Sequence, residues 1–368
     1  MRLALLSVLL LGVACSSDKP PTQDRRDAGT GTDDAGSGDA GTGTEDAGSG
    51  DAGCEPLAPG LGTPLLTGLN TPRRLAVDGA DLYIVESHSL NPQQPQPGPG
   101  RLLRLPRAGG DAVPVATGFR APDALAVTPD ALYVLDLDGL WRVDKATGEK
   151  DARPLDATVN NVTIGGTEVL PARLGDRDVL VIATAHRRLV RVEASGGNRQ
   201  ELFAGTGYTQ VRGARVVGQE VWFLVAASET PGLYSVPLDG SAPPTLRDGS
   251  ITAGTSLEVT PTHFLVTEGG GGNGRVLRLP REGGAAEVVA TGLQGPAFPV
   301  ELHGTLYFKD VSTGGADFLR RVSVCSAGGA VESVGPEGVG PGGLVVDGDT
   351  LLYTSQESGT GGVVGRVP

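Results

Sequence analysis

Pro122-Asp-Ala-Leu-Ala-Val-Thr-Pro-Asp-Ala-Leu-Tyr-Val-Leu-Asp-Leu-Asp-Gly-Leu-Trp-Arg-Val-Asp-Lys145 reads as three short β-strands. Leu125 and Val127, then Leu132 and Val134, alternate with their neighbours at period two. Pro129-Asp130 and Asp138-Gly139 punctuate the runs, and Leu140-Trp141-Arg142-Val143 resumes the alternation. Aligned on its second strand, the phrase returns as Leu82-Tyr83-Ile84-Val85, Leu180-Val181-Ile182, Trp222-Phe223-Leu224-Val225, Phe264-Leu265-Val266, Leu306-Tyr307-Phe308 and Leu351-Leu352-Tyr353. With Leu132 to Leu135 that makes seven units, roughly 42 to 50 residues apart, a period that belongs to solenoids and propellers.

A strand precedes each of these, as Leu75-Ala76-Val77 and Leu344-Val345-Val346 show, and a third follows, plainest at Arg101 to Leu105 and Arg275 to Leu279. A glycine turn such as Ala108-Gly109-Gly110 or Glu282-Gly283-Gly284 then leads into a fourth. Seven four-stranded antiparallel units describe an all-β, seven-bladed β-propeller over residues 61–368. The last unit ends in a third strand, Val363 to Pro368, while Pro64-Leu65-Leu66-Thr67-Gly68 is a fourth strand with nothing before it. The N-terminal strand is therefore expected to close the last blade.

The composition agrees. Hydrophobic residues make up 39% of the 368 and aromatic residues only 4%, with 58 glycines, which suits many short strands burying small branched side chains. Acidic residues outnumber basic ones, 43 to 30, which argues against nucleic acid as a partner, since a phosphate backbone calls for clustered Lys and Arg.

Residues 1–14 read as an export signal: Arg2 supplies the positive charge, and Leu3 to Val13 is an apolar run too short to span a bilayer. Leu11-Gly12-Val13-Ala14-Cys15 resembles a bacterial lipobox, with Gly12 where that pattern prefers Leu. The resemblance implies cleavage before Cys15, a diacylglycerol on its sulfur and, with Ser16 next, an outer-membrane lipoprotein facing the periplasm or the cell surface. Residues 15–60 are acidic repeats of Gly, Ala, Thr and Asp with almost nothing to bury. They are expected to form a disordered tether with a reach on the order of 35 Å.

The phrase Pro-x-x-Leu-Ala-Val-Asp-Gly-x-x-Leu-Tyr resembles that of the NHL-repeat, TolB-like and lactonase-type propellers. The group includes interaction scaffolds, sugar-lactone hydrolases and a streptogramin lyase, so the resemblance is specific for fold and leaves activity open. Glu86, Asp136, Glu268 and Asp310 all end second strands and are expected on one face of the ring. There they are a candidate ligand or metal face, calcium being implied by resemblance to regucalcin-type lactonases, or else acceptors for turn N–H groups. His88 and His186 fall in loops on that face, where a lyase-like general base would be sought; His263 and His303 fall on the opposite one. No nucleophile motif is present, so no catalytic residue is assigned. The expected function is a monomeric envelope lipoprotein whose propeller binds a protein, peptide, glycan or small molecule, with a calcium-dependent hydrolase or a lyase as the alternative.

Once Cys15 is lipidated, Cys54 and Cys325 remain, and in an oxidising compartment they are expected to pair. Cys54 precedes the closing strand of the seventh blade, and Cys325 ends the third strand of the sixth. The bond would hold the entering chain against the neighbouring blade.

Overall fold

The unbroken apolar runs that mark the second strands have a direct structural cause. In the second strand of blade 1 (Asp81–Glu86), Leu82 and Ile84 pack with Leu352 and Val364 of blade 7. Tyr83 and Val85, on the other face, pack with Leu132, Val134 and Val143 of blade 2. A strand buried on both faces must be apolar at every position, which is why these runs are unbroken. The same arrangement recurs around the ring, giving one apolar cluster at each of the seven junctions between blades.

The computed structural model describes residues 60–88, 99–159, 168–184, 187–325, 329–336, 338, 340–355 and 361–367. The calls on Cys15, Cys54 and His186, and the signal and tether up to residue 59, lie outside the described residues. Those described build an all-β propeller of seven antiparallel blades. The inner strands are Pro72–Asp78, Ala124–Val127, Glu168–Leu174, Gln210–Val217, Gly254–Val259, Ala297–Leu302 and Pro341–Asp347, for blades 1 to 7.

Closure follows the expected scheme. Leu66–Leu69 pairs with Gly362–Val367 as the outer strand of blade 7, in the register Leu66↔Val364 and Leu69↔Gly362. The amides of Gly62 and Leu65 extend the pairing to the carbonyls of Arg366 and Val364 at 2.8 and 2.9 Å. Glycine is required at Gly365, because any side chain there would collide with the ring of Tyr353 on the adjoining strand.

Blade 2 departs from the four-stranded scheme at its outer edge. Its ladder has three strands, and residues 145–159 pair with its third strand through the isolated bridges Val143↔Lys150 and Leu140↔Asp156 rather than as a fourth strand. The Asp144 carboxylate accepts from the amides of Ala146 and Thr147 and from the Thr147 hydroxyl, so the chain turns locally rather than entering a ladder. Lys150 lies over the rings of Phe119 and Trp141, at 4.7 and 4.3 Å, and covers the edge that a strand would otherwise hide.

Candidate functional site

Five of the seven inner strands carry a β-bulge where they enter the sheet. Their registers shift between Pro72 and Arg74, Arg212 and Ala214, Gly254 and Ser256, Ala297 and Val300, and Pro341 and Gly343. A bulge takes a residue out of the ladder and re-aims it. Here the skipped positions include Arg73, Gly213, Thr255, Phe298 and Gly342. All five line one cavity of about 290 Å³, joined by Asp123 and Glu168 at the entries of blades 2 and 3. The cavity thus draws on every blade and sits where the inner strands begin, at one end of the central channel. Gly213, at φ 48°, could hardly be another residue, because a Cβ there would meet the backbone amide of Leu257 in blade 5.

Below this mouth a second cavity of about 280 Å³ is walled by Leu75, Leu125, Val169, Val300 and Leu344, and shares Arg74, Glu168 and Phe298 with the first. Arg215 bridges three blades there. Its Nη1 donates to Glu168 Oε1 of blade 3 at 2.6 Å, and its Nη2 and Nε donate to Glu258 of blade 5 at 2.7 and 3.0 Å. Burial opposes the Arg215 charge, but the two carboxylates outweigh it and hold its pKa above the usual arginine range.

The mouth is basic in a chain whose formal net charge is −13. Arg73, Arg74, Arg212 and Lys309 line it against only Asp123 and Glu168. Burial lowers the pKa of Arg73; Asp123 works the other way and the Arg74 charge adds to the lowering. Lys309 donates to Asp317 at 2.8 Å, and Glu168 is bound to Arg215 and to the Ala214 amide. Among the described residues, two guanidinium groups meet only neutral acceptors. Arg74 donates to the carbonyl of Gly342 at 3.0 Å and lies 4.9 Å over the Phe298 ring; Arg212 donates through Nε and Nη2 to Gln210 Oε1 at 3.0 and 2.7 Å. Burial lowers the Arg212 pKa, with no carboxylate opposing it.

The four strand-end carboxylates lie at this same end of the ring, buried inside their own blades. Glu86 accepts from the Asn70 amide at 2.6 Å and from Arg101 Nε at 2.5 Å, with His88 Nε2 3.0 Å away. Asp136 accepts four N–H groups: the amides of Arg120, Asp138 and Gly139, and Trp141 Nε1, at 2.9, 2.7, 3.1 and 2.9 Å. Burial nevertheless raises its pKa, because desolvation outweighs those bonds. Asp310 accepts the amides of Gln294 and Gly295 at 3.0 and 2.8 Å, and Glu268 pairs with Arg275 at 2.5 Å. Three of the four, Glu86, Asp136 and Asp310, thus latch the segment entering the inner strand onto the end of the second strand. Among the described residues, no three His, Cys, Asp or Glu side chains gather as a metal site would require. His88 is held by Glu86 and by its own amide, which donates to the Asn70 carbonyl at 3.2 Å. His263 bonds to Thr262 at 2.8 Å, and His303 lies 3.2 Å from Asp349.

Sequence reasoning missed the residues of the mouth, and the repeat carried a signal for only four of them. Arg73, Arg74, Asp123 and Gly342 sit at the unspecified positions of Pro-x-x-Leu-Ala-Val and its variant Pro-x-x-Leu-Val-Val.

No protein-family model matches the chain, and no curated protein matches it either. Solved structures do. The extracellular domain of a one-component system protein of B. thetaiotaomicron is similar at 13% identity and a TM-score of 0.56, over 85% of this chain and 42% of that one. A TolB structure from Agrobacterium tumefaciens is similar at 14% identity and a TM-score of 0.46, over 70% of this chain and 94% of that one. Regucalcin, a calcium-binding protein from A. tumefaciens str. C58, is similar at 18% identity and a TM-score of 0.41, over 69% and 86%. At 13% identity, the likeness to the B. thetaiotaomicron domain speaks to the fold alone.

Proposed function

We propose that this chain is a bacterial envelope lipoprotein whose propeller acts as a binding module, taking its ligand at the channel mouth. The observation that carries the reading is the composition of that mouth. It is built from all seven blades and lined by charged, hydroxyl-bearing and apolar side chains, with no histidine or cysteine among the described lining residues. Thr255 Oγ1, at the bulge of blade 5, is already bonded to Thr267 and to the Pro296 carbonyl, at 2.8 and 2.7 Å. A module of this kind should be stabilised by its ligand and return it unchanged. Melting curves against a small-molecule panel, each with calcium or with chelator, followed by mass analysis of any stabilising compound, test this. Conversion of the compound, or stabilisation that requires the metal, would replace the reading with a hydrolase or lyase.

The cellular address rests on Cys15 and on the remaining cysteines. Leu61, seven residues after Cys54, packs into the cluster shared by blades 6 and 7, and a side chain at Gly335 on the outer edge of blade 6 would run into it. Cys325 is exposed where the third strand of that blade ends. The entering chain therefore runs beside Cys325's blade, as a Cys54 to Cys325 bond requires. Mass spectrometry of the mature, non-reduced protein is expected to show an acylated N-terminal Cys15 and a linked peptide pair containing Cys54 and Cys325. An unmodified Cys15, or free thiols at both other positions after prompt alkylation, would refute the corresponding half.

A further inference from the structure

We propose that the channel mouth is specific for a small organic anion, a carboxylate carrying an apolar portion, gripped between Arg74 and Arg212. The proposal rests on the binding-module reading and names the ligand class of the same site. Its first ground is charge. Of the four cations at the mouth, Lys309 is matched by Asp317 and Arg73 is offset by Asp123, while Glu168 is held by Arg215. Arg74 and Arg212 are left facing neutral oxygens and a ring. They belong to blades 1 and 4, three places apart in a ring of seven, and line the same cavity of about 290 Å³. A planar guanidinium with donors to spare suits a carboxylate, which it can meet with two parallel N–H bonds.

The second ground is backbone geometry. Phe298 holds φ at 54°, a left-handed conformation that is a genuine outlier for a bulky residue, and such strain gathers at ligand clamps. The bulge that imposes it places the Phe298 ring against the Arg74 guanidinium and, with Pro296 and Ala297, makes the apolar wall of an otherwise charged mouth. A cation beside an apolar wall, partly withdrawn from water, selects for charge and hydrocarbon together.

The test uses the full-length protein with benzoate, succinate and inorganic phosphate as anionic probes, benzamide and succinamide as their neutral counterparts, and benzylamine as a cation. Benzoate is expected to raise the melting midpoint and to bind more tightly than benzamide, with an affinity that falls as salt rises. Arg212→Gln should weaken benzoate roughly tenfold or more. Arg281→Gln, on the opposite face where Arg281 donates to the Pro261 carbonyl in the turn between the first two strands of blade 5, should leave binding unchanged. Because the bonds of Arg212 among the described residues go to Gln210 alone, the Arg212→Gln protein should melt near the wild type without ligand, so loss of binding can be told from loss of fold. Phosphate binding without benzoate would assign the mouth to an inorganic oxyanion and refute the organic class. Binding of benzamide or benzylamine in preference to benzoate, or benzoate binding unchanged in Arg212→Gln, would overturn the proposal and leave the binding module standing. A flat response to every probe would overturn the anion proposal alone, the binding module being tested by the broader panel above.

Discussion

Asp136→Ala is expected to destabilise the propeller by about 3–5 kcal/mol, a fall in the melting midpoint on the order of 10 °C. The carboxylate is fully buried and accepts four N–H groups. Its removal leaves three amides and an indole N–H orphaned, each at a cost of roughly 1–3 kcal/mol less whatever water can recover. The pH dependence has a definite sign. Burial raises the folded-state pKa of Asp136 above its unfolded value, so its contribution through proton binding is full in acid and is lost as the pH rises through the folded pKa. The deficit of the variant should therefore be larger near pH 4 than at pH 7. Urea denaturation at the two pH values measures both quantities. A loss below about 1 kcal/mol would mean that the carboxylate is not a latch.

A chain beginning at Asn70 should lose roughly 5 kcal/mol or more and should self-associate. Leu65, Leu66 and Leu69 pack into the cluster that joins blades 7 and 1, with Leu75, Leu82, Ile84, Leu103, Leu105, Leu352 and Val364. Taking them away uncovers that cluster and also strips the ladder partner from Gly362–Val367, leaving an unpaired edge open to a second copy. Light scattering and a melting curve would show the outcome, with full-length Cys54→Ser separating loss of the strand from loss of the proposed bond. A monomer that melts like the full chain would show that the ring stays shut without its first strand.

The architecture was legible because it rests on patterns that burial enforces locally. A strand covered on both faces must read like Leu82-Tyr83-Ile84-Val85, and a ring must match its ends, so a final third strand at Val363 and an unattached fourth strand at Leu65 could be joined on paper. The outer edge of blade 2 was not legible. The Thr147-Gly148 turn looks like those that introduce fourth strands elsewhere, and only the bonding of Asp144 and the placement of Lys150 divert the chain. The face was readable too, since the inner strands enter where the second strands end. Which residues reach the mouth was not. That depends on ladder slips after Pro72, Arg212, Gly254, Ala297 and Pro341, and a slip is set by how two strands settle against each other. The residues that recur in every unit build blades; the mouth is written in those that do not.

The bulges also bear on how such a ring could change through descent. A residue that a bulge removes from its ladder no longer answers to the pleat, and Arg73, Thr255 and Gly342 belong to none of the apolar clusters between blades, so these three could be exchanged with the clusters left intact, whereas Gly213, against the Leu257 amide, could not. The chemistry of the opening can then drift one blade at a time over an unaltered frame. Copies of one ancestral propeller could come to recognise unlike molecules while differing at a handful of codons.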